Sequence, residues 1–175
     1  MTIAETERLR LRELMPEDAA FILELLNEPG WLRFIGDRHV HSPDEALGYI
    51  AKGPAASYAK NGFGLWVVEL AASSERVGMC GLIKRETLAH VDLGFAFLER
   101  HWGHGYARES AAAVVELARE RYHLPQLVAI TDVDNVASQK VLASVGFTYD
   151  KLIHMPDTQE ELSLYVLDLA AVGRS

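Results

Sequence analysis

Leu9 and Leu11 alternate with Arg8, Arg10 and Arg12 across Glu7 to Leu14, a period of two that predicts a half-buried strand. Pro16-Glu17-Asp18 then marks a helix start, and Ala19, Ile22, Leu23 and Leu26 follow with helical spacing. A second helix is predicted from Ser42-Pro43-Asp44-Glu45, where Ser42 reads as an N-cap with Glu45 three residues on. From Gly64 the pattern changes to short β-rich runs at Leu65 to Leu70, Val77 to Lys84 and Val91 to Leu98. Ala107, Ala111, Val114, Leu117 and Ala118 mark one face of a long helix from about Gly105 to Tyr122, which Pro125 cannot continue. Leu127 to Thr131 is a short apolar strand. Val136 to Ser144 is a helix ended by Gly146, and Phe147 to Met155 and Leu162 to Leu169 close the chain as strands. That order predicts an α/β fold in which a mixed sheet is covered by helices on both faces. With no repeat or linker, residues 1–175 are expected to form a single domain.

The segment from Asp92 to Arg108 (DLGFAFLERHWGHGYAR) runs from a strand through a glycine-rich turn into a helix. Such a turn suits an anion. Gly103 and Gly105 permit close backbone approach, and the first N–H groups of the helix point at the charge together with its dipole. Arg100, His104 and Arg108 cluster beside it. A dinucleotide fingerprint needs a small residue where Arg108 stands, and a phosphate loop of the GK[ST] kind needs an ending that is absent, so both of those readings drop out.

Arg100, Gly103 and Gly105 resemble the R/Q-x-x-G-x-G/A cofactor motif of the GCN5-related N-acetyltransferases (GNAT). Trp102-Gly-His-Gly-Tyr-Ala and the opening Thr6 to Arg12 are similar to the branch that acetylates ribosomal-protein N-termini. A second match runs from Asn135 through Ser138, Leu142 and Gly146 to Phe147, similar to N-x-x-S-x-x-V/L-L-x-x-x-G-F. The resemblance implies a mostly antiparallel mixed sheet whose central parallel strands splay to admit acetyl-CoA, the acetyl donor. It also implies that Arg100, His101, Trp102, Gly103, His104, Gly105, Tyr106, Ala107 and Arg108 form the diphosphate site. Main-chain groups of Phe95, Ala96 and Phe97 would pair with the pantetheine arm as a strand edge pairs with a peptide, and Asn135, Ser138 and Lys140 would complete the cofactor set.

Two catalytic residues are implied. Asp92 stands where relatives often carry a Glu that deprotonates the amine. Ser138 is a candidate proton donor to the departing thiolate, because the Tyr many relatives use is replaced by Leu142; a water or another tyrosine such as Tyr149 are the alternatives. From its position alone Asn135 is a helix N-cap, a role compatible with contact to pantetheine. The acceptor implied is a primary amine, either a peptide N-terminus or a small molecule such as a polyamine, amino acid or aminoglycoside. A non-catalytic acyl-CoA-binding module is the alternative of another class.

Charge and composition narrow this further. A formal net charge of −8 argues against nucleic acid as a partner. Nowhere do about 18 apolar residues follow one another, so no membrane span is expected, and the charged N-terminus predicts a cytoplasmic protein; a monomer or homodimer is expected, without a sequence feature that selects between them. Cys80, the only cysteine, excludes an intramolecular disulfide and reads as a small core residue rather than a nucleophile. Asp132-Val-Asp134-Asn135 starts like a calcium loop, but Ala137 and Ala143 stand where Gly and Glu are required. The pairs His101 with His104 and His39 with His41 lack companion ligands, so no metal is expected. Trp31, Phe34 and Trp66 are read either as core or as the wall of an acceptor pocket.

Overall fold

The computed structural model of the protein describes residues 1–156 and 158–172. Its strands are β1 (Thr2–Glu5), β2 (Leu9–Arg12), β3 (Leu65–Leu70), β4 (Arg76–Ile83), β5 (Val91–Phe97), β6 (Gln126–Asp132), β7 (Thr148–His154) and β8 (Glu161–Asp168). They form one sheet in the order β1-β2-β3-β4-β5-β6-β8-β7, antiparallel throughout except for β5 beside β6. Helices α1 (Ala19–Leu26), α2 (Pro29–Phe34), α3 (Pro43–Ile50) and α4 (Ala56–Asn61) precede β3. Helix α5 (Tyr106–Glu120) is the crossover between the two parallel strands, and α6 (Val136–Ser144) follows β6.

Alternation along the central strands sorts side chains to two cores. Trp66, Val68, Cys80 and Leu82 pack with Ala111, Val114 and Ala118 of α5, whereas Val67 and Met79 on the other face meet Ile22 and Leu25 of α1 and Ala46 of α3. The expected cover of helices on both faces is present. Trp66 is fully buried, so it is core. Cys80 is buried too, and burial pushes its thiol up to about 12, which keeps it protonated and unreactive.

The N-terminus corrects the expected single strand over Glu7 to Leu14. Thr6 turns the chain, its N–H bonding to the Leu9 carbonyl at 2.9 Å and its hydroxyl accepting from the Leu9 N–H at 3.1 Å, so that β1 and β2 form a hairpin. The Arg8 guanidinium is paired with Glu109 on α5, at 2.7 Å. Arg12 reaches the buried Asp18 with both terminal nitrogens, at 3.0 and 2.9 Å, and Arg76 binds the same carboxylate. Asp18 therefore locks β2 and β4 to the start of α1 as a buried ion.

Ser42 caps α3 as expected, its hydroxyl accepting from Glu45 N–H at 3.1 Å. Helices α2 and α4 were not predicted; each has only six residues, too few for a periodic apolar face to show, and α4 follows a π-helical turn, Ala51–Ala55, that holds Pro54. Among the described residues no helix is long and apolar enough to cross a membrane.

Candidate active site

The parallel strands pair only at Val91 with Leu127 and Asp92 with Val128; beyond that point β5 stays on β4 and β6 on β8, and the two separate. The separation opens a cavity of about 780 Å³ lined by Phe95 and Ala96 on one side and by Ile130, Thr131 and Ser138 on the other. Phe95 and Ala96 therefore lie on a strand edge facing space. Phe97 does not line the cavity: its ring covers Gly78, where a Cβ would come within 2.4 Å of it, and its carbonyl accepts the Trp102 indole N–H at 2.8 Å.

After β5 the chain makes a short 3-10 turn, Glu99–His101, and enters the glycine turn. Gly103 and Gly105 have φ of +82° and +81°, in the left-handed region that favours glycine. None of the main-chain N–H groups from Gly103 through Arg108 has an acceptor among the described residues. A Cβ placed on Gly103 would meet nothing within 4 Å, so the protein itself does not require the small residue for space. A row of unanswered N–H groups at the N-terminus of a 15-residue helix fits a diphosphate.

The surrounding side chains hold this turn in place. Arg8 donates to the His104 carbonyl at 2.8 Å and lies over the Tyr106 ring, against which the His104 ring also stacks. Trp102 packs against Gly30 of α2. Arg100 is paired with Glu24 and His101 with Glu75, both engaged by protein carboxylates. Arg108 is exposed on α5. The start of the chain is thus tied to the turn, a role that its sequence resemblance did not specify.

Asp92 stands at the apex where β5 and β6 part. It is 2% exposed and accepts from Arg85 Nε at 2.8 Å through Oδ2, and the Ile130 backbone N–H also favours its ionised form. Burial raises its carboxyl, and the Arg85 guanidinium offsets only part of that, leaving it at about 6. It is poised near neutrality, as a general base needs to be. Arg85, from the polar stretch after β4, went unrecognised in the sequence because nothing local links it to Asp92.

Asn135 caps α6, its side-chain oxygen accepting from Ser138 N–H at 3.2 Å, and both residues line the cavity. Leu142 is fully buried beside them. Tyr149 is 54% exposed against Tyr165 and does not line the cavity, and Lys140 is exposed on α6, also away from it. Asp132 caps the turn before α6, its Oδ1 accepting from Asp134 N–H at 2.8 Å. Thr131 is buried with its hydroxyl unpaired.

The far end of the cavity is walled by α2 and the loop after it, by the stretch from α3 to α4, and by the end of β4. Trp31 and Phe34 both line it; Trp31 is 8% exposed, so it is core and wall at once. Tyr49 on α3 also reaches the cavity. On the exposed loop, Asp37 joins the His39 and His41 pair, His41 Nε2 lying 3.3 Å from Asp37 Oδ1. Asp37 is a companion that the sequence reading did not supply to that pair, and the three groups are exposed to solvent.

Residues 8–148 match the sequence profile of the Acetyltransferase (GNAT) domain. The chain belongs to the GNAT acetyltransferase family. It is 29% identical over 154 residues to YkkB, an uncharacterized protein of Bacillus subtilis strain 168, covering 85% of this chain and 86% of YkkB. Among solved structures it is similar to an acetyltransferase from Agrobacterium tumefaciens, at 27% identity and a TM-score of 0.79 over 95% of this chain and 94% of that one. RimL, a ribosomal L7/L12 α-N-protein acetyltransferase solved with coenzyme A, shares the fold, with a TM-score of 0.84, 18% identity and coverage of 98% of this chain and 99% of RimL. This GNAT chain is an acyl-CoA-dependent N-acetyltransferase with the fold that the splayed parallel pair defines.

Proposed function

We propose that the protein transfers the acetyl group of acetyl-CoA to a primary amine, peptide N-terminus or small molecule, with both substrates bound at once. The observation that carries this reading is the pairing of a buried, near-neutral Asp92 at the strand apex with Ser138 across the same cavity. Acetyl-CoA supplies the activated acyl group. The free N–H groups from Gly103 to Arg108 hold its diphosphate, and the open β5 edge at Phe95 and Ala96 offers main-chain partners to its amide-bearing arm.

Asp92 takes the proton of the amine. Because it is buried, the proton reaches it through a bridging water. The amine nitrogen adds to the thioester carbonyl, the C–S bond breaks, and Ser138, held on the first turn of α6 by the Asn135 cap, donates its hydroxyl proton to the departing thiolate and is reprotonated from solvent as Asp92 gives its proton back to water. Holding both reactants in one cavity removes much of the entropic barrier. The test is free-thiol release from acetyl-CoA with a panel of amines, alongside Asp92→Asn. Thiol release that depends on the amine and falls in the variant supports the reading, and acetyl-CoA binding without release for any amine would sink it.

A further inference from the structure

We propose that the acceptor is an amine carrying a negative charge, a carboxylate or a phosphate, on the part of the molecule remote from the reacting nitrogen; this rests on the acetyl-transfer reading above. In a chain of net charge −8, the acceptor end of the cavity gathers cations from three separate segments: Arg38 from the loop after α2, Lys52 and Lys60 from the stretch through α4, and Lys84 and Arg85 from the end of β4. Arg38 and Arg85 line this end of the cavity together with the half-buried Tyr49, on whose phenol both act electrostatically.

Ion pairing leaves several basic side chains without a partner carboxylate among the described residues, Arg33, Arg108, Arg121, Lys140 and Lys151 away from this wall as well as those on it. Arg8, Arg10, Arg12, Arg76, Arg100 and Arg119 are matched with carboxylates. Among the described residues, Arg38, Lys52, Lys60 and Lys84 have no ion-pair partner, although acids outnumber bases in the chain. Acidic groups also line the cavity, but most are committed elsewhere: Asp37 to His39 and His41, Asp132 to the turn before α6, and Asp92 to Arg85. Glu160 lies on the opposite wall, beyond β7. The diphosphate cradle does not account for the cations, because Gly103 to Arg108 do not line this cavity.

Five basic and four acidic side chains line the cavity, and a wall on which the basic ones gather attracts anions locally. The cavity is polarised. A carboxylate at the apex suits the amine, a cationic outer wall suits an anion, and the buried Thr131 hydroxyl, unpaired on the cavity wall, adds a free hydrogen-bonding group. A polyamine would bring positive charge against that outer wall, and an amine with a neutral remainder would leave it unanswered.

The experiment uses the full chain with acceptors matched for shape and differing in charge: γ-aminobutyrate against its carboxamide, phosphoethanolamine against ethanolamine, and spermidine as the polycation. Binding is read by calorimetric titration, and turnover by thiol release. Each anionic member is expected to bind and react about tenfold or more better than its neutral partner, spermidine is expected to be the poorest, and the preference should shrink in high salt. Whichever pair shows the larger preference identifies carboxylate or phosphate as the natural anion. Arg38→Gln should raise acceptor KM and erase most of the preference while acetyl-CoA KM moves less than about twofold, and Arg38→Lys should restore part of it. Neutral or cationic acceptors that bind as well as the anions would overturn the proposal. Selective anion binding with no thiol release would instead remove the acetyl-transfer reading and leave the anion site standing.

Discussion

Arg85 Nε stands 2.8 Å from Asp92 Oδ2, and this contact sets how easily the buried carboxylate at the strand apex gains a proton. Burial pushes Asp92 up, the guanidinium pulls it part of the way back, and the balance lies at about 6. A base must be ionised to act, so activity is expected to fall as pH drops through about 6. The amine itself also protonates, so log kcat/KM against pH should steepen below that value. Arg85→Gln removes the opposing charge and should move this break to higher pH. A pH profile of the variant that overlays the parent would dissociate Asp92 from the proton transfer. Asp92→Asn should cost on the order of 10² in kcat.

Gly103 combines a φ of +82° with open space where a Cβ would go. Gly103→Ala should therefore lower stability by only about 1 kcal/mol, the conformational cost, when followed by thermal unfolding. Gly103→Glu adds a carboxylate and a long side chain where the diphosphate would sit. Acetyl-CoA binding by calorimetry should disappear in that variant, and undiminished affinity would move the cradle away from the glycine turn.

Ser138 contributes its hydroxyl to the cavity and its N–H to the Asn135 cap, and these roles separate on substitution. Ser138→Ala keeps the N–H, so folding and acetyl-CoA affinity should hold while kcat drops. Asn135→Ala removes the cap and should cost about 1 kcal/mol in stability. Steady-state kinetics beside chemical denaturation distinguishes the two. An unaltered kcat in Ser138→Ala would clear that hydroxyl of the proton-donor role.

Asp18 joins β2, β4 and α1 through Arg12 and Arg76. Burial alone would raise its carboxyl, but the Arg12 pair, the Met15 N–H at 2.8 Å and Arg76 outweigh it and hold it below its ordinary value of 3.8. A carboxyl depressed in the folded state stabilises fully above that ordinary value, and the contribution is lost as pH falls through the depressed one. Asp18→Ala leaves Arg12 and Arg76 facing an emptied site and should destabilise by about 3–5 kcal/mol. Urea midpoints at neutral and acid pH check both expectations: the variant should be weaker at neutral pH and less sensitive to acid.

Features fixed by neighbours along the chain were legible in the sequence. Val136 to Ser144 with Gly146 beyond it, the Ser42 cap and the left-handed glycine turn at Gly103 and Gly105 each depend on hydrogen bonds and steric limits within a few residues. The order of strands and helices followed from the periods of the apolar pattern, and the glycines at 103 and 105 marked the turn between β5 and α5. Tertiary structure decided what depends on distant partners. Glu109 on a distant helix is the partner of Arg8, and the ring of Asp18, Arg12 and Arg76 makes a buried ion of a helix-start acid. Asp92 gained its tuned carboxylate, and the outer wall its unmatched cations, only when segments far apart in the chain were folded around one cavity. Burial and electrostatics are set by what surrounds a group in space, and a one-dimensional pattern carries that information only where the surroundings are local.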